Sequence, residues 1–299
     1  MNLEAISDGG EPLSIAAIGG DKALATEVQN RLSEGGLLEP PADGEFGPVS
    51  QWAMGEFMRK LGKPNKGQLD RGVAAALLDD GLSKRFPLND TTTLAGRIVA
   101  AMRSKGWWIT RHPDCVNIVY VEGLNTDGTA NNNVANAFND LRVVIRISRA
   151  GNPEIAGAWP ATSEPGLFYT KIKKEDPRGA ARIAFGQYKS WSVGMHPRSK
   201  PAVAHEALVQ VKDITVFRDM NEDFRRDGDP EFTGLFGINQ HWGYDMALNN
   251  IGNASAGCLV GRTKAGHREF MALINADPRY VASRGFRFMT AVLPASDLP

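Results

Sequence analysis

Residues 234–263 read GLFGINQHWGYDMALNNIGNASAGCLVGRT and contain the residues that most clearly indicate chemistry. His241 and Gly243 lie in its first half, and Cys258 follows His241 by seventeen residues in a stretch rich in glycine and small side chains. A thiol must lose its proton to attack a carbonyl, and a nearby imidazole can take that proton. Backbone N–H groups around Gly257 and Cys258 suit a developing oxyanion, because glycine lets the chain approach a substrate closely. This stretch predicts a nucleophile, a base and an oxyanion site.

A second stretch, SEPGLFYTKI at residues 163–172, lies upstream of the first. Together the two stretches resemble the L,D-transpeptidase catalytic domain. In that family a Thr-Pro-x-Gly-x-Phe element precedes a His-Gly pair, an Ile-Gly step and a Ser-x-Gly-Cys end. The residues that match are Gly166, Phe168, His241, Gly243, Ile251, Gly252, Ser255, Gly257 and Cys258, with Pro165 one position after the family's proline.

The resemblance implies an enzyme that attacks stem-peptide bonds of peptidoglycan. Cys258 would form a thioester acyl-enzyme, with His241 as general base and then acid and Gly257 at the oxyanion. No cofactor and no metal are implied. The implied substrate-binding residues are Ser255, Gly243, Trp242 and Arg262.

Three departures from the family pattern bear on the reaction. Ala256 stands where the family often has histidine, and Val260 stands where it has arginine, with Arg262 two positions later. Trp242 directly follows the predicted catalytic histidine, at the position where the family has glycine or serine. These changes favour a lytic peptidase over the crosslinking L,D-transpeptidase, which stays open as an alternative. A non-catalytic wall-binding structural protein is a second alternative.

The regions around both motifs predict a mainly β domain at residues 111–299. VNIVYVEG, LRVVIRIS and ALVQVKDITVF are β-branched runs separated by turn residues. One late helix is expected from Lys264 to about Asn275, with His267 on its solvated face. His196 and His205 raise a zinc-peptidase alternative, although a catalytic zinc site needs about three protein ligands and the chain has no HExxH motif.

Residues 1–85 predict a small three-helix bundle. Leu24, Val28 and Leu32 recur with helical spacing, Ser50 is a candidate N-cap of a second helix, and a third helix is expected at 69–78. The stretch VQNRLSEGGLLEPPADGEFGPVSQWAMGEFMRKLGK, residues 28–63, resembles the helical peptidoglycan-binding repeat. The features that match this repeat, and the implied wall-binding residues, include Asp43, Phe46 and Phe57.

Residues 86–110 are expected to form a linker and a helix that begins at the run Thr91 to Thr93 and ends near Gly106. The predicted fold class is therefore multi-domain, α and mainly β, with a helical bundle followed by an L,D-transpeptidase-like β-rich catalytic domain.

The two resemblances imply peptidoglycan as the partner, and composition argues against nucleic acid. The 299 residues include 34 basic and 34 acidic side chains, and this zero net charge supplies no field for nucleic acid. Two cysteines cannot form a disulfide framework. No membrane span and no signal peptide are expected, because MNLEAISDGGEPLS lacks the charged and apolar segments of a secretory signal. We therefore expect synthesis in the cytoplasm and action on the wall after release or delivery, as by a phage-type lysin or a delivered effector.

Overall fold

The computed structural model describes residues 1–63, 67–79, 82–197 and 201–299. The chain divides into two compact units, each built from several segments. Unit 1 comprises Met1–Cys115, Arg146–Glu154 and Asp277–Arg284, and unit 2 comprises Val116–Ile145, Ile155–Ala276 and Gly285–Pro299. Unit 1 thus extends beyond residue 85 and includes the segment predicted as linker and helix.

Unit 1 is helical. Its helices and its short two-stranded ribbon are α1 (Leu3–Ser7), β1 (Leu13–Ser14), a 3₁₀ turn (Ile15–Gly20), α2 (Lys22–Glu34), α3 (Pro48–Lys60), β2 (Gln68–Leu69), α4 (Arg71–Leu78), α5 (Leu82–Arg85), α6 (Leu94–Ser104) and Pro278–Ala282. The three predicted helices correspond to α2, α3 and α4. Because further helices belong to the same unit, a three-helix bundle is not confirmed.

Helix α3 begins earlier than the sequence predicts. Its N-cap is Gly47, with Pro48 at the first helical position, whereas Ser50 lies inside the helix and is buried. Proline suits that position because its fixed φ is helical and the missing N–H would have no partner there. The prediction that Ser50 is the N-cap of this helix is therefore wrong. Thr93, by contrast, caps α6 as expected, its Oγ1 accepting from Gly96 N at 3.1 Å.

The turn between α2 and α3 is held by Gln29. The Gln29 Nε2 donates to Asp43 Oδ1 at 2.8 Å, and its Oε1 accepts from Gly44 N at 2.8 Å. Gly44 has a φ of +74°, a conformation that other residues rarely adopt. Phe46 and Phe57 are buried in the hydrophobic core of the unit. Asp43 and both phenylalanines thus have structural roles within the unit, and wall binding by them stays a prediction.

Unit 2 is rich in β-structure. Its regular elements are β3 (Asn117–Glu122), β4 (Asp140–Ile147), β5 (Pro153–Thr162), β6 (Ala180–Ile183), β7 (Gly186–His196), β8 (His205–Gln210), β9 (Ile214–Asp219), β10 (Glu231–Gly234), β11 (Gln240–Trp242), β12 (Leu259–Gly261), α7 (Lys264–Asn275) and β13 (Phe288–Pro294). The strands form a closed eight-stranded sheet in the order β11-β12-β5-β4-β3-β13-β7-β8 and a three-stranded sheet, β10-β9-β6. The predicted late helix is confirmed as α7.

Strand pairing brings the two halves of the long motif together. β11 and β12 are parallel neighbours, with His241 opposite Val260, so Cys258 lies just before the strand that pairs with the histidine strand. On the other side β11 pairs with β8, and β8 pairs with β7 with His196 opposite His205. In the described part of the chain, no helix is long and apolar enough to cross a membrane.

Candidate active site

A cavity of about 750 Å³ opens in unit 2 beside the parallel β11–β12 pair. Its volume is in the range of small-molecule sites. Cys258, His241 and Trp242 all line it. The other lining residues are Tyr169, Glu175, His196, Pro197, Val203, Tyr244, Asn253, Ala254, Ala256 and Lys264.

The loop that carries Cys258 is held by its own serine. Ser255 Oγ donates to the carbonyl oxygen of Cys258 at 2.9 Å and accepts from Gly257 N at 3.1 Å. Gly257 has a φ of +126°, and a Cβ at this position would overlap the carbonyl oxygen of Ala181. Ser255 and Gly257 therefore shape the loop. Because the Gly257 N–H is already bonded to Ser255, an oxyanion role for it requires that bond to break.

The upstream element predicted from SEPGLFYTKI lies against the same loop. Gly166 N donates to the carbonyl oxygen of Ser255 at 2.9 Å, and a Cβ on Gly166 would overlap the carbonyl oxygen of Gly252. The glycine is required here because two backbone segments meet without room for a side chain. The two separated motifs are thus parts of one structure.

The thiol of Cys258 is protonated at rest. Burial raises its pKa to about 11, against a smaller lowering by the N–H of Asn239, which donates to Sγ at 3.4 Å. Sγ in turn lies 3.7 Å from the carbonyl oxygen of Gly237. The residue is only partly buried, so the sulfur remains open to the cavity. Attack therefore requires that a base remove the proton.

His241 is neutral, with its tautomer fixed by the backbone. Its Nδ1 lies 2.7 Å from the carbonyl oxygen of Trp242. A carbonyl only accepts, so Nδ1 carries the proton and Nε2 is left as an acceptor. Burial, and then the nearby His196, lower the pKa of His241 well below its usual value. The resting site therefore holds a neutral thiol and a neutral imidazole with a free basic nitrogen.

The residues predicted to bind substrate separate into two groups. Trp242 lines the cavity, and its ring stacks on His205 with centroids 3.8 Å apart. Gly243 and Arg262 instead hold the strands: Gly243 N donates to Gly261 O at 2.7 Å, and Arg262 Nη1 donates to Met246 O at 3.0 Å. Ser255, Gly243 and Arg262 do not line the cavity.

Sequence reasoning missed the charged residues of the cavity and one polar residue beside it. Lys264, the first residue of α7, lies 5.7 Å above the ring of Trp242, and Glu175 lines the same cavity. Asn239 contacts the thiol sulfur through its backbone. The position of Lys264 directly after the motif was the signal available for it; nothing in the sequence marked Glu175 or Asn239.

His267 lies inside unit 2, and its predicted solvated position was wrong. It is 1% exposed, its Nε2 donates to Glu206 O at 2.9 Å, and its Nδ1 accepts from Arg142 Nη1 at 3.2 Å. These two hydrogen bonds offset the cost of burying the polar ring. Within the described ranges, no group of three histidine, cysteine, aspartate or glutamate side chains is arranged to hold a metal.

A buried acidic network lies elsewhere in unit 2. Asp140 accepts from Gly123 N at 2.9 Å and from Ser163 N at 2.6 Å, while Glu164 pairs with Arg182 at 2.9 Å. Burial raises the pKa of Asp140 to about 7, helped by the charge of nearby Glu122, and burial raises the pKa of Glu164 to about 8.

These two carboxyls predict that unit 2 becomes less stable as pH rises from about 5 to about 8. Their folded pKa values lie above their unfolded ones, so the folded state holds more protons in this range and the free energy of unfolding falls with pH. We expect a loss of at least about 1 kcal/mol in urea unfolding. Glu164→Gln, which keeps the oxygen that accepts from Arg182, should flatten the dependence. Stability that rises steadily between pH 5 and pH 8 would contradict this prediction.

Comparison with known proteins adds little to this geometry. No protein-family profile matches the chain, and no curated protein matches it. A fused Zn-dependent amidase/peptidase/peptidoglycan-binding domain-containing protein from Clostridium acetobutylicum is 11% identical, with a TM-score of 0.30 over 94% of this chain and 99% of that one. An L,D-transpeptidase from Xylanimonas cellulosilytica is 14% identical, with a TM-score of 0.21 over 90% of this chain and 92% of that one. Both TM-scores are too low to establish a shared fold.

Proposed function

We propose that the protein is a thiol-dependent peptidase that cleaves stem peptides of peptidoglycan. The observation that carries the proposal is the cavity that Cys258 and His241 both line, with Nδ1 of His241 bonded to a backbone carbonyl and Nε2 left basic. The motif resemblance supplies the substrate class.

In the first half of the reaction, Sγ of Cys258 attacks a peptide carbonyl carbon while its proton passes to Nε2 of His241. The new S–C bond pushes the carbonyl electron pair onto oxygen. When the intermediate collapses, the C–N bond breaks and the imidazolium returns its proton to the leaving amine. The Trp242 carbonyl, bonded to Nδ1–H, stabilises the imidazolium while it exists.

In the second half, water attacks the thioester carbonyl and gives a proton to His241. The S–C bond then breaks, the acyl group leaves as a carboxylic acid, and the thiolate recovers the proton from the imidazolium. The site thereby returns to its neutral resting state. No cofactor takes part in this sequence of steps.

The charged residues of the cavity suit a peptide that carries both carboxylate and amine groups. Lys264 is a cation on the cavity wall, whereas Arg262 is occupied by the carbonyl of Met246. We therefore assign carboxylate binding to Lys264 in place of Arg262. Glu175, on the same cavity, supplies a partner for an amine.

Hydrolysis is expected to dominate over transfer to an amine. A transpeptidase must exclude water and hold a second peptide, whereas a lytic enzyme needs only water at the acyl-enzyme. With a soluble stem peptide and excess D-amino acid, we expect shortened peptide to exceed exchange product by about tenfold or more, a barrier difference of about 1.4 kcal/mol. Mass spectrometry of the products measures the ratio. Dominant D-amino-acid incorporation would instead support the crosslinking L,D-transpeptidase.

Unit 1 is proposed to bind the wall, on the strength of its resemblance to the peptidoglycan-binding repeat. Full-length protein with Cys258→Ala, which cannot turn over substrate, should sediment with insoluble peptidoglycan. Excess soluble stem peptide occupies only the cavity of unit 2, so it should leave most of the protein in the pellet. Complete release by the soluble peptide would contradict wall binding by unit 1. Binding without any turnover by the wild type would favour the non-catalytic structural alternative.

A further inference from the structure

Four of the five histidines of the chain form one cluster, and the predicted base is among them. They are His196, His205, His241 and His267, contributed by β7, β8, β11 and α7. His196 makes the closest ring contact with His241: the two rings are nearly parallel, 16° apart, with centroids separated by 4.1 Å. His205 and His241 meet edge to face at 6.1 Å. The sequence motifs assign no role to His196 in thiol chemistry.

Asn239 connects His196 to the nucleophile. Its backbone N–H donates to Sγ of Cys258 at 3.4 Å, and its side-chain Nδ2 lies 2.9 Å from Nδ1 of His196. The amide orientation is settled because Oδ1 of Asn239 accepts from the backbone N–H of Gln210 at 2.9 Å. Nδ2 is therefore the donor, and Nδ1 of His196 must accept. A neutral His196 consequently carries its proton on Nε2.

The two stacked imidazoles thus have opposite tautomers, each fixed by a different partner. Asn239 fixes His196 with a bare Nδ1, and the carbonyl of Trp242 fixes His241 with a bare Nε2. We propose that His196, held in place by Asn239, is a positioning residue of the thiol site. It keeps His241 neutral and leaves Nε2 of His241 available as the base. The inference rests on the proposed function in assigning His241 as that base.

Charge repulsion explains why the His196 side chain must be neutral. Two positive charges on rings about 4 Å apart repel each other strongly away from bulk water, so the stacked pair accepts at most one proton. His241 needs that proton during attack. Burial, and then the nearby His205, lower the pKa of His196 to about 4, so His196 is uncharged near neutral pH and adds no positive charge that would oppose proton transfer to His241.

The other groups around the pair do not favour protonation of His196. His205 on β8 and His267 on α7 have lowered pKa values, that of His267 being about 3, and Tyr244 has a raised one. These side chains are therefore uncharged near neutral pH. The thiol of Cys258 is protonated as well. The charged residues on the cavity wall are Lys264 and Glu175, one of each sign.

Two variants separate the two contacts of His196. His196→Asn retains a polar side chain for Asn239 but removes the stacked ring, whereas His196→Phe retains a ring but cannot accept from Asn239. Met195→Ala is the matched control, because Met195 is the preceding residue on β7 and is exposed. Long-range ¹H–¹⁵N spectra of the imidazoles report the tautomer and the titration midpoint of each histidine in all four proteins.

In the wild type we expect Nδ1–H for His241, Nε2–H for His196, and a His241 midpoint well below its usual value. Loss of the ring in His196→Asn admits water beside His241, and its midpoint should rise by about one pH unit. The acid limb of kcat/KM should move by the same amount. The midpoint should stay low in His196→Phe and in Met195→Ala.

The inference is overturned if His241 has the same midpoint and tautomer in His196→Asn as in the wild type. It is also overturned, without any variant, if wild-type His241 carries its proton on Nε2. The spectra need no substrate, so they decide the inference separately from the proposed function. If the protein shows the expected spectra but leaves peptidoglycan intact, the role of His196 stands and the proposed peptidase function is wrong.

Discussion

Cys258→Ala is expected to abolish peptidoglycan turnover, with kcat falling by about 10⁴-fold or more. The alanine has no sulfur to form the acyl-enzyme, and the cavity and binding contacts alone give only the residual rate typical of enzymes without their nucleophile. The Tm should change little, because the side chain is small and partly exposed to the cavity. Release of soluble peptide from purified peptidoglycan, followed by mass spectrometry, measures the loss.

The chain provides its own control for this prediction. Cys115, the second cysteine, lies in unit 1, is fully buried, and has a pKa that burial holds well above the usual value. Cys115→Ala should therefore keep wild-type kcat. Iodoacetamide should inactivate the wild type and the Cys115→Ala protein alike. Full activity in Cys258→Ala would end the thiol mechanism.

His241→Ala tests whether thiol and imidazole act as one unit. It should lose nearly as much activity as Cys258→Ala, because the neutral thiol with a pKa of about 11 cannot attack without a base at neutral pH. The double variant should be no worse than either single one, since residues that share a step give non-additive losses.

Sequence order was enough to predict the parts of the site that belong to one continuous segment. Along the chain, the histidine on β11 comes first, followed by the Ser255 to Cys258 loop and then helix α7. Local patterns specify each of them. Small residues and glycines signalled tight backbone approach, which Gly257 shows against Ala181. These local elements could therefore be predicted without knowledge of the fold, and their catalytic roles stay predictions.

The remaining parts of the site depend on strand pairing that a single sequence does not reveal. His196 reaches His241 only because β7 pairs with β8 and β8 with β11. The burial of His267 likewise depends on a strand far away in sequence, which contributes Arg142. Such contacts follow from register across the sheet, and register is a property of the assembled fold. Periodicity along α7 places His267 on the same buried face as Phe270 and Ile274, so it could indicate the burial of this ring but not its partner Arg142.

Gly257→Ala is expected to lower both stability and activity by large amounts. The φ of +126° is outside the range of most side chains, and the added Cβ would overlap the carbonyl oxygen of Ala181. Backbone strain and a forced shift together should lower the free energy of unfolding by about 2–4 kcal/mol. The loop that must move carries Cys258, and a displacement of about 1 Å at reacting atoms can cost about 10²-fold in rate. Assays well below the Tm of the variant measure kcat apart from unfolding.

Gly228→Ala separates the effect of φ from the effect of crowding. Gly228 also has a positive φ, +82°, but a Cβ there would meet nothing within 4 Å. Its replacement should therefore cost about 1 kcal/mol through the backbone alone and leave kcat unchanged. If Gly257→Ala resembled Gly228→Ala in both Tm and kcat, close packing of the cysteine loop against Ala181 would not be what positions the nucleophile. A much larger loss of kcat in Gly257→Ala instead makes the left-handed glycine part of the catalytic geometry, because it fixes where the sulfur lies relative to His241.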